Sequence, residues 1–375
     1  MAPVLLYLEV VQRIILVLFL LPIGYWVFLS LFPGKYDHSF DPLKEEKRIS
    51  IILPMRNEIK NVKRKLRSIL SEVAKSEYVD LFIVVSDPND GTLEQATNFL
   101  KRSGVDDKRW RALSIEKPGK NVSLNWAISH IEADIIIISD ADAEIRPGWL
   151  KIISSRLDED GIGVVSGIED ASNSGLDGFQ RYYRSKSNWF RIRESKTGST
   201  PVLEGSIIGW DTHKIGEFRF NEELNADDAQ LGMIAARRGL RAVIDPRISF
   251  EDFDHQGRST EESVRRAQGL SLVLLKNADI LFKNIGFRIR LAIINSLFIY
   301  VILPWLVLLF GFSTLLTLLP NGAELNVLTI FSVGICLGTP MIPQGRMLLV
   351  GVAISIKAHL HAIFGIKYNT WEPIR

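Results

Sequence analysis

Two aspartates spaced i, i+2, Asp140 and Asp142, follow the uncharged run Ile135-Ile136-Ile137-Ile138. Four β-branched residues in a row require a strand buried on both faces, so the pair stands where such a strand opens into a turn. There both carboxylates reach one hard cation, with phosphate oxygens and water filling its other positions. A divalent ion held in this way neutralises a diphosphate and supports its departure. Taken alone, the pair also reads as a solvated turn ahead of Arg146-Pro147-Gly148. A second acidic pair, Asp227-Asp228, precedes Ala229, Leu231, Ile234 and Ala235 at helical spacing. It suits the positive N-terminal end of that helix or a general base, each carboxylate raising the pKa of the other. Two further polar stretches follow apolar runs. They are Pro54-Met55-Arg56-Asn57-Glu58 after Ile49–Leu53, and Ser86-Asp87-Pro88-Asn89-Asp90-Gly91-Thr92 after Leu81–Val85.

These residues need a frame that brings strand ends together. Strand-like runs at 49–53, 81–85, 112–115 and 135–138 alternate with helical spacing at 57–70, 93–100 and 121–130. Strand alternating with helix predicts a mostly parallel sheet covered on both faces. In such sheets ligands bind beyond the carboxyl ends of the strands, where all three polar stretches fall. Further on, 162–167 and 204–210 read as strands, and 181–191 as a helix mixing aromatic and basic residues.

The chain has 375 residues, 45 Lys and Arg against 43 Asp and Glu, and one cysteine, Cys336. This excludes a disulfide scaffold and gives no support for a nucleic-acid partner. The positive mean hydropathy, +0.12, traces to the ends. Ile14–Phe32 is free of charge and long enough to cross a hydrocarbon core of about 30 Å as a helix. No small-residue cleavage site follows it, so it reads as an uncleaved anchor rather than a signal peptide. Leu291–Leu319 and Leu325–Ile342 are uncharged, and Met347–Phe364 is broken by Lys357, His359 and His361. Basic residues flank the middle region (Lys35, Lys44, Lys47, Arg48 and Lys276, Lys283, Arg288, Arg290), so that region is expected to face the cytoplasm.

The motifs together resemble the membrane-bound family 2 glycosyltransferases. The resemblance rests on Ser50–Glu58, Asp90-Gly91-Thr92, Gly119-Lys120 with Leu124-Asn125-Trp126-Ala127, Asp140-Ala141-Asp142, Ala226-Asp227-Asp228 and the terminal Trp371-Glu372-Pro373-Ile374-Arg375. It implies a GT-A fold, a Rossmann-like, mostly parallel mixed sheet of α/β class, with transmembrane helices at both ends. The implied divisions are an anchor at 1–34, a catalytic domain at 46–255, a basic interfacial segment at 256–290 and a membrane region at 291–375. It also implies that Pro54, Arg56, Glu58 and Asp87 line the nucleotide pocket and that Lys120 and Gly205 approach the donor. Asp140 would face the ribose or diphosphate as well as the metal, and Asp142 would be the principal ligand of Mg²⁺ or Mn²⁺. Asp228, beside Asp227, would be the base of an inverting displacement.

The sequence also departs from the family. The tryptophan-containing Q-x-x-R-W motif of processive synthases is missing, which favours transfer of one sugar over polymerisation. In its place stand His255-Gln256-Gly257-Arg258 and Arg265-Arg266. The three arginines are candidates for contact with the diphosphate or a lipid phosphate, and His255 for a further metal ligand. Trp210 either stacks on a sugar or packs in the core. The 181–191 helix either meets an anionic lipid or is an ordinary surface helix. The expected partners are a nucleotide-sugar donor, a lipid-linked acceptor and the membrane, with no nucleic acid. The expected activity is transfer of one sugar at the cytoplasmic face. The alternatives are a processive polysaccharide synthase and a non-catalytic membrane scaffold on a degenerate nucleotide fold.

Overall fold

The computed structural model describes residues 2–32, 47–170, 178–252, 259–318, 327–366 and 368. They divide into two compact units, one built around the residues that precede 259 and one apolar.

The larger unit holds a sheet of eight strands: β1 (Ile49–Met55), β2 (Val79–Ser86), β3 (Trp110–Ile115), β4 (Ile135–Ser139), β5 (Ala143–Ile145), β6 (Ile162–Glu169), β7 (Ile207–Asp211) and β8 (Arg241–Asp252). Their order is β3-β2-β1-β4-β7-β6-β8-β5. The β3-β2-β1-β4 half is parallel, as the alternation of strand and helix requires. β7 then enters antiparallel between β4 and β6, and β5 is antiparallel to β8. The sheet is therefore mixed. Side chains alternate between two cores. Ile51, Leu53, Ile135 and Ile137 pack with the helices Val62–Val73, Thr92–Lys101 and Trp149–Asp158. Ile52, Ile136 and Ile138 pack on the other face with the helices Lys120–Ile128 and Asp227–Arg237. Each such side chain contributes about 1.5–3 kcal/mol when fully buried, which explains why the tetra-isoleucine run forms a central strand.

β8 has no counterpart among the strands expected from sequence. Asp245, Pro246 and Arg247 interrupt its pattern, and Pro cannot donate to a ladder. The strand accommodates them in a register shift: Ser166 pairs with Ile244, but Ile168 pairs with Ser249. The fully buried Asp245 folds back onto Arg247 at 2.6 Å.

The second unit comprises residues up to Phe32, Ser259–Ser271 and Ile294–Lys367. Residues Leu272–Ile293, between its second and third segments, cluster with the sheet instead. Among the described residues, three helical stretches are long and apolar enough to cross a membrane: Leu6–Leu31, Phe287–Leu318 and Pro343–Ile363. The first helical element begins at Ala2, earlier than the uncharged run, and carries an i, i+4 pair between Arg13 and Glu9. Among the described residues, the apolar run at 325–342 forms the shorter helix Val327–Gly338 and a 3₁₀ turn, Thr339–Met341. Pro304 does not break its helix. A π-helical turn, Phe298–Ile302, precedes it, the local adjustment by which a helix absorbs a missing N–H. The carbonyl of Tyr300, four residues before Pro304, accepts from Ser271 Oγ at 3.4 Å. Ser271 Oγ also meets His359 Nε2 at 3.1 Å, and Trp305 Nε1 donates to His359 Nδ1 at 3.0 Å. Since Nδ1 accepts, the ring is neutral and Nε2 carries the proton.

Candidate active site

The carboxyl ends of β1, β2 and β4 share one edge of the sheet, as parallel pairing requires. Both polar loops after β1 and β2 contain a non-glycine residue at positive φ, Asn57 at 55° and Asp87 at 50°. Such backbone is uncommon and held by its surroundings. Here the surroundings are a clip. Asp90 Oδ1 accepts from Thr92 N and Thr92 Oγ1, its Oδ2 accepts from Ile59 N, and Thr92 Oγ1 accepts from Glu58 N. Asp90-Gly91-Thr92 thus fastens one loop to the other.

The expected pocket residues divide. Arg56 and Asp87 form an ion pair at 3.0 Å. Glu58 is buried and accepts from Asn61 Nδ2. Pro54 is buried within β1, in register with Val84.

Lys120 organises the centre. Gly119, at φ +136°, precedes the helix Lys120–Ile128, whose first residue points its ammonium to Asp140 Oδ1 at 2.7 Å and Asp227 Oδ2 at 3.0 Å. Burial alone would lower this ammonium, but the Asp140 and Asp227 carboxylates outweigh it and hold Lys120 above the ordinary lysine value. The same helix sets the approach to the second acidic pair. Asn125 donates to Phe220 O and accepts from Phe220 N, and Asn121 donates to Asn221 O.

Asp227 and Asp228 occupy the first turn of the helix Asp227–Arg237. Asp227 is buried and committed to Lys120. Asp228 is partly exposed and accepts from Ala229 N at 2.7 Å. Burial, together with the Asp227 charge, pushes the Asp228 carboxyl up to about 7. Burial also raises Asp227, against the pull of Lys120.

Gly205 marks where these groups meet. A Cβ placed on it would lie 3.7 Å from each of Asp140 Oδ2, Asp228 Oδ2 and Lys120 Nζ. Gly209, in the same small-residue segment, serves packing instead, since a Cβ there would stand 2.9 Å from Ile153 Cγ2. Trp210 is 1 % exposed and packs edge-on to Phe218, so it belongs to the core and does not stack on a ligand.

Two features carry no mark in the motifs. Lys65 is fully buried, and its Nζ donates to Ser139 Oγ at 2.7 Å and Ala143 O at 2.8 Å. Burial brings it down to about 8, against the upward pull of Asp140 and Asp142. It lies among Val62, Leu66 and Ile69 on the apolar face of its helix, an anomalous place for a lysine and the one signal of it in the sequence. Glu204, next to Gly205, receives Arg184 at 3.1 Å and also Arg191, while Arg184 reaches Glu169 at 2.5 Å. These arginines tie the aromatic and basic helix Gly178–Thr197 to the edge of the site.

Arg265 and Arg266 lie on the helix Thr260–Lys276, within the residues of the apolar unit, and Arg266 pairs with Glu262. His255, Arg258 and the terminal Trp371–Arg375 lie outside the described residues.

The donor set fits a hard divalent cation that is shared with a ligand. Lys120 pairs with Asp140 and Asp227, and the Lys65 ammonium feels the charges of Asp140 and Asp142. Among the described residues no three carboxylate, imidazole or thiol groups are placed to hold a metal by themselves. A turn that supplies two carboxylates to a hard cation leaves its other positions to phosphate and water.

The family model for glycosyl transferase family 2 matches residues 50–218. Glycosyltransferase AglE of Haloferax volcanii is 25% identical over 135 residues, 36% of this chain and 43% of that protein. An uncharacterised Mycobacterium tuberculosis protein is 25% identical over 170 residues, 45% of this chain and 51% of that protein. The chain spans about half the length of the curated relatives it matches. Among solved structures, the mannosyltransferase PcManGT of Pyrobaculum calidifontis, determined with GDP-Man and Mn²⁺, superposes with a TM-score of 0.76 at 20% identity. The superposition covers 96% of this chain and 99% of that one. The likeness of sequence covers the segment that holds Asp140 and Asp142, where residues 50–218 match the glycosyl transferase family 2 model, and the likeness of fold is to a GT-A-like glycosyltransferase.

Proposed function

We propose that this protein is a membrane-anchored, inverting glycosyltransferase. It moves one sugar from a nucleotide-sugar donor to a lipid-linked acceptor, a polyprenyl phosphate or glycolipid, at the cytoplasmic face. The observation that carries this reading is the convergence of Asp140, Asp228 and Lys120 on Gly205. It supplies, side by side, an anion-neutralising group and a carboxylate with a raised pKa.

Asp142 and Asp140 would hold Mg²⁺ or Mn²⁺, the second being the ion that accompanies GDP-Man in the similar mannosyltransferase. When bound, the ion supplies positive charge to the departing nucleoside diphosphate. Arg56, Asp87 and Glu58 would line the nucleotide side of the pocket. Lys120 holds Asp140 in place and adds a fixed cation near the diphosphate. Gly205 leaves room for the sugar. Asp228 takes the proton of an acceptor hydroxyl as that oxygen attacks the anomeric carbon from the face opposite the leaving group. Asp227, paired with Lys120, adds its charge to the burial that raises the basicity of Asp228. An acceptor phosphate is already ionised, so Asp228 would then matter less. Arg258, Arg265 and Arg266 are proposed as cationic contacts for the diphosphate or a lipid phosphate, and His255 as a further metal ligand. The apolar stretches near both ends would place the acceptor's bilayer beside the enzyme.

The test is transfer by the purified full chain from a panel of nucleotide sugars to polyprenyl phosphate and glycolipid acceptors, with and without Mn²⁺. One donor should give a product extended by a single sugar and only with the metal present. Folded Asp142→Ala and Asp228→Ala proteins that keep full transfer would overturn the reading, and a long-chain product would overturn the single transfer.

A further inference from the structure

We propose that Lys65 is a positioning residue for the Asp140-Ala141-Asp142 turn, setting the geometry in which that turn receives a divalent cation with a nucleoside diphosphate. The inference rests on the functional reading above.

Lys65 belongs to the helix Val62–Val73 and has no solvent exposure. An ammonium is costly to bury unless its donors are met, so its partners indicate what it is kept for. They are Ser139 Oγ, one residue before Asp140, and the carbonyl of Ala143, one residue after Asp142. A single atom therefore pins both ends of the turn. The chain of bonds continues. Ser139 Oγ donates to Ser206 O at 2.9 Å, and Asp140 N donates to the same carbonyl at 3.2 Å. Helix, turn and the residue after Gly205 are thereby locked in one network beneath the site.

A lysine serving only as a counter-charge would sit against a carboxylate. Among the described residues none lies within ion-pair distance of its Nζ, although Asp140 and Asp142 act on it from further away. The bonding is directional, to a hydroxyl and a carbonyl, as positioning requires. Loss of such outer partners typically weakens metal binding about 10–100-fold.

The experiment uses the full chain in detergent, titrated with Mn²⁺ in the presence of GDP and, separately, UDP, by calorimetry without acceptor, with melting temperature measured in parallel. Folded Lys65→Met is expected to bind Mn²⁺ at least about tenfold more weakly. Ser139→Ala, which keeps Lys65 and its bond to Ala143, should also bind more weakly, by a smaller factor. Unchanged or tighter Mn²⁺ binding by folded Lys65→Met, whatever its melting temperature, overturns the proposal, because a purely structural or counter-charge role gives that result. If Lys65→Met does not fold, Ser139→Ala decides, and undiminished Mn²⁺ binding there overturns it. Wild-type protein that binds Mn²⁺ neither with these two nor with any other nucleoside diphosphate of the donor panel sinks the functional reading itself, a result distinct from failure of the variants alone.

Discussion

Asp228 and Asp227 are adjacent in sequence and opposite in circumstance. Asp227 is spent on Lys120, whereas Asp228 is partly exposed with its carboxyl raised to about 7. A base works only when unprotonated. For a hydroxyl acceptor the logarithm of the rate should therefore rise with unit slope up to about pH 7 and then level, and Asp228→Asn should lower kcat by about 10²–10⁴. For a phosphate acceptor the pH profile should be flatter and the loss smaller, so one pH series distinguishes the two. The same shift affects stability. The folded state holds this proton more tightly than the unfolded chain, so the associated stability is complete below the unfolded value near 3.8 and is lost as pH rises through about 7. Asp228→Asn should accordingly raise the melting temperature more at pH 8 than at pH 4. The acidic pair itself was legible from its place before an amphipathic helix. Which member was committed was not, because the deciding partner, Lys120, is more than a hundred residues earlier. Lys65 was hidden for a related reason: it stands among Lys60, Lys63 and Arg64, and only the helical phase separates it from those solvated neighbours.

At the scale of elements, the helix Gly178–Thr197 is attached by charge rather than by apolar packing alone. Arg184 is 7 % exposed, and its guanidinium bridges Glu169 at the end of β6 and Glu204 beside Gly205. Removing one partner of a buried pair strands charge. Arg184→Met is expected to destabilise the sheet unit by about 3–5 kcal/mol, measured by denaturant unfolding of the detergent-solubilised chain. Arg193→Met, which removes a cation stacked on Trp189, should cost about 1 kcal/mol and serves as the comparison. Strands with unbroken apolar runs, β1, β2 and β4, were legible at nearly their true limits. β8 was not, since Asp245-Pro246-Arg247 looks like a turn until the register shift against β6 is seen. The small-residue segment was recognisable as special, but its glycines serve different purposes: Gly205 opens onto the charges and Gly209 admits Ile153.

At the scale of the whole molecule, charge and hydropathy average two unlike populations of residues. The sequence's near-neutral balance conceals an acidic cluster at one sheet edge and basic residues around the apolar helices. If those basic residues set the orientation, the sheet unit faces the cytoplasm. In a Cys336→Ser background, a cysteine at the exposed Lys101 should react with a membrane-impermeant maleimide in inside-out vesicles and stay unlabelled in intact cells. Labelling in intact cells would reverse the orientation.

The entry of β7 between β4 and β6 has a consequence for the order in which the protein can be completed. The first four strands are in hand once the chain reaches Ser139, and the acidic turn follows at once. Yet that turn leans on the carbonyl of Ser206 through both Ser139 Oγ and Asp140 N, and Ser206 arrives only after more than sixty further residues. A nascent chain that has just emerged past Asp142 owns its acidic side chains but not the brace that seats them. The acidic turn is finished from downstream, by the residue that leads into the strand that makes the sheet mixed.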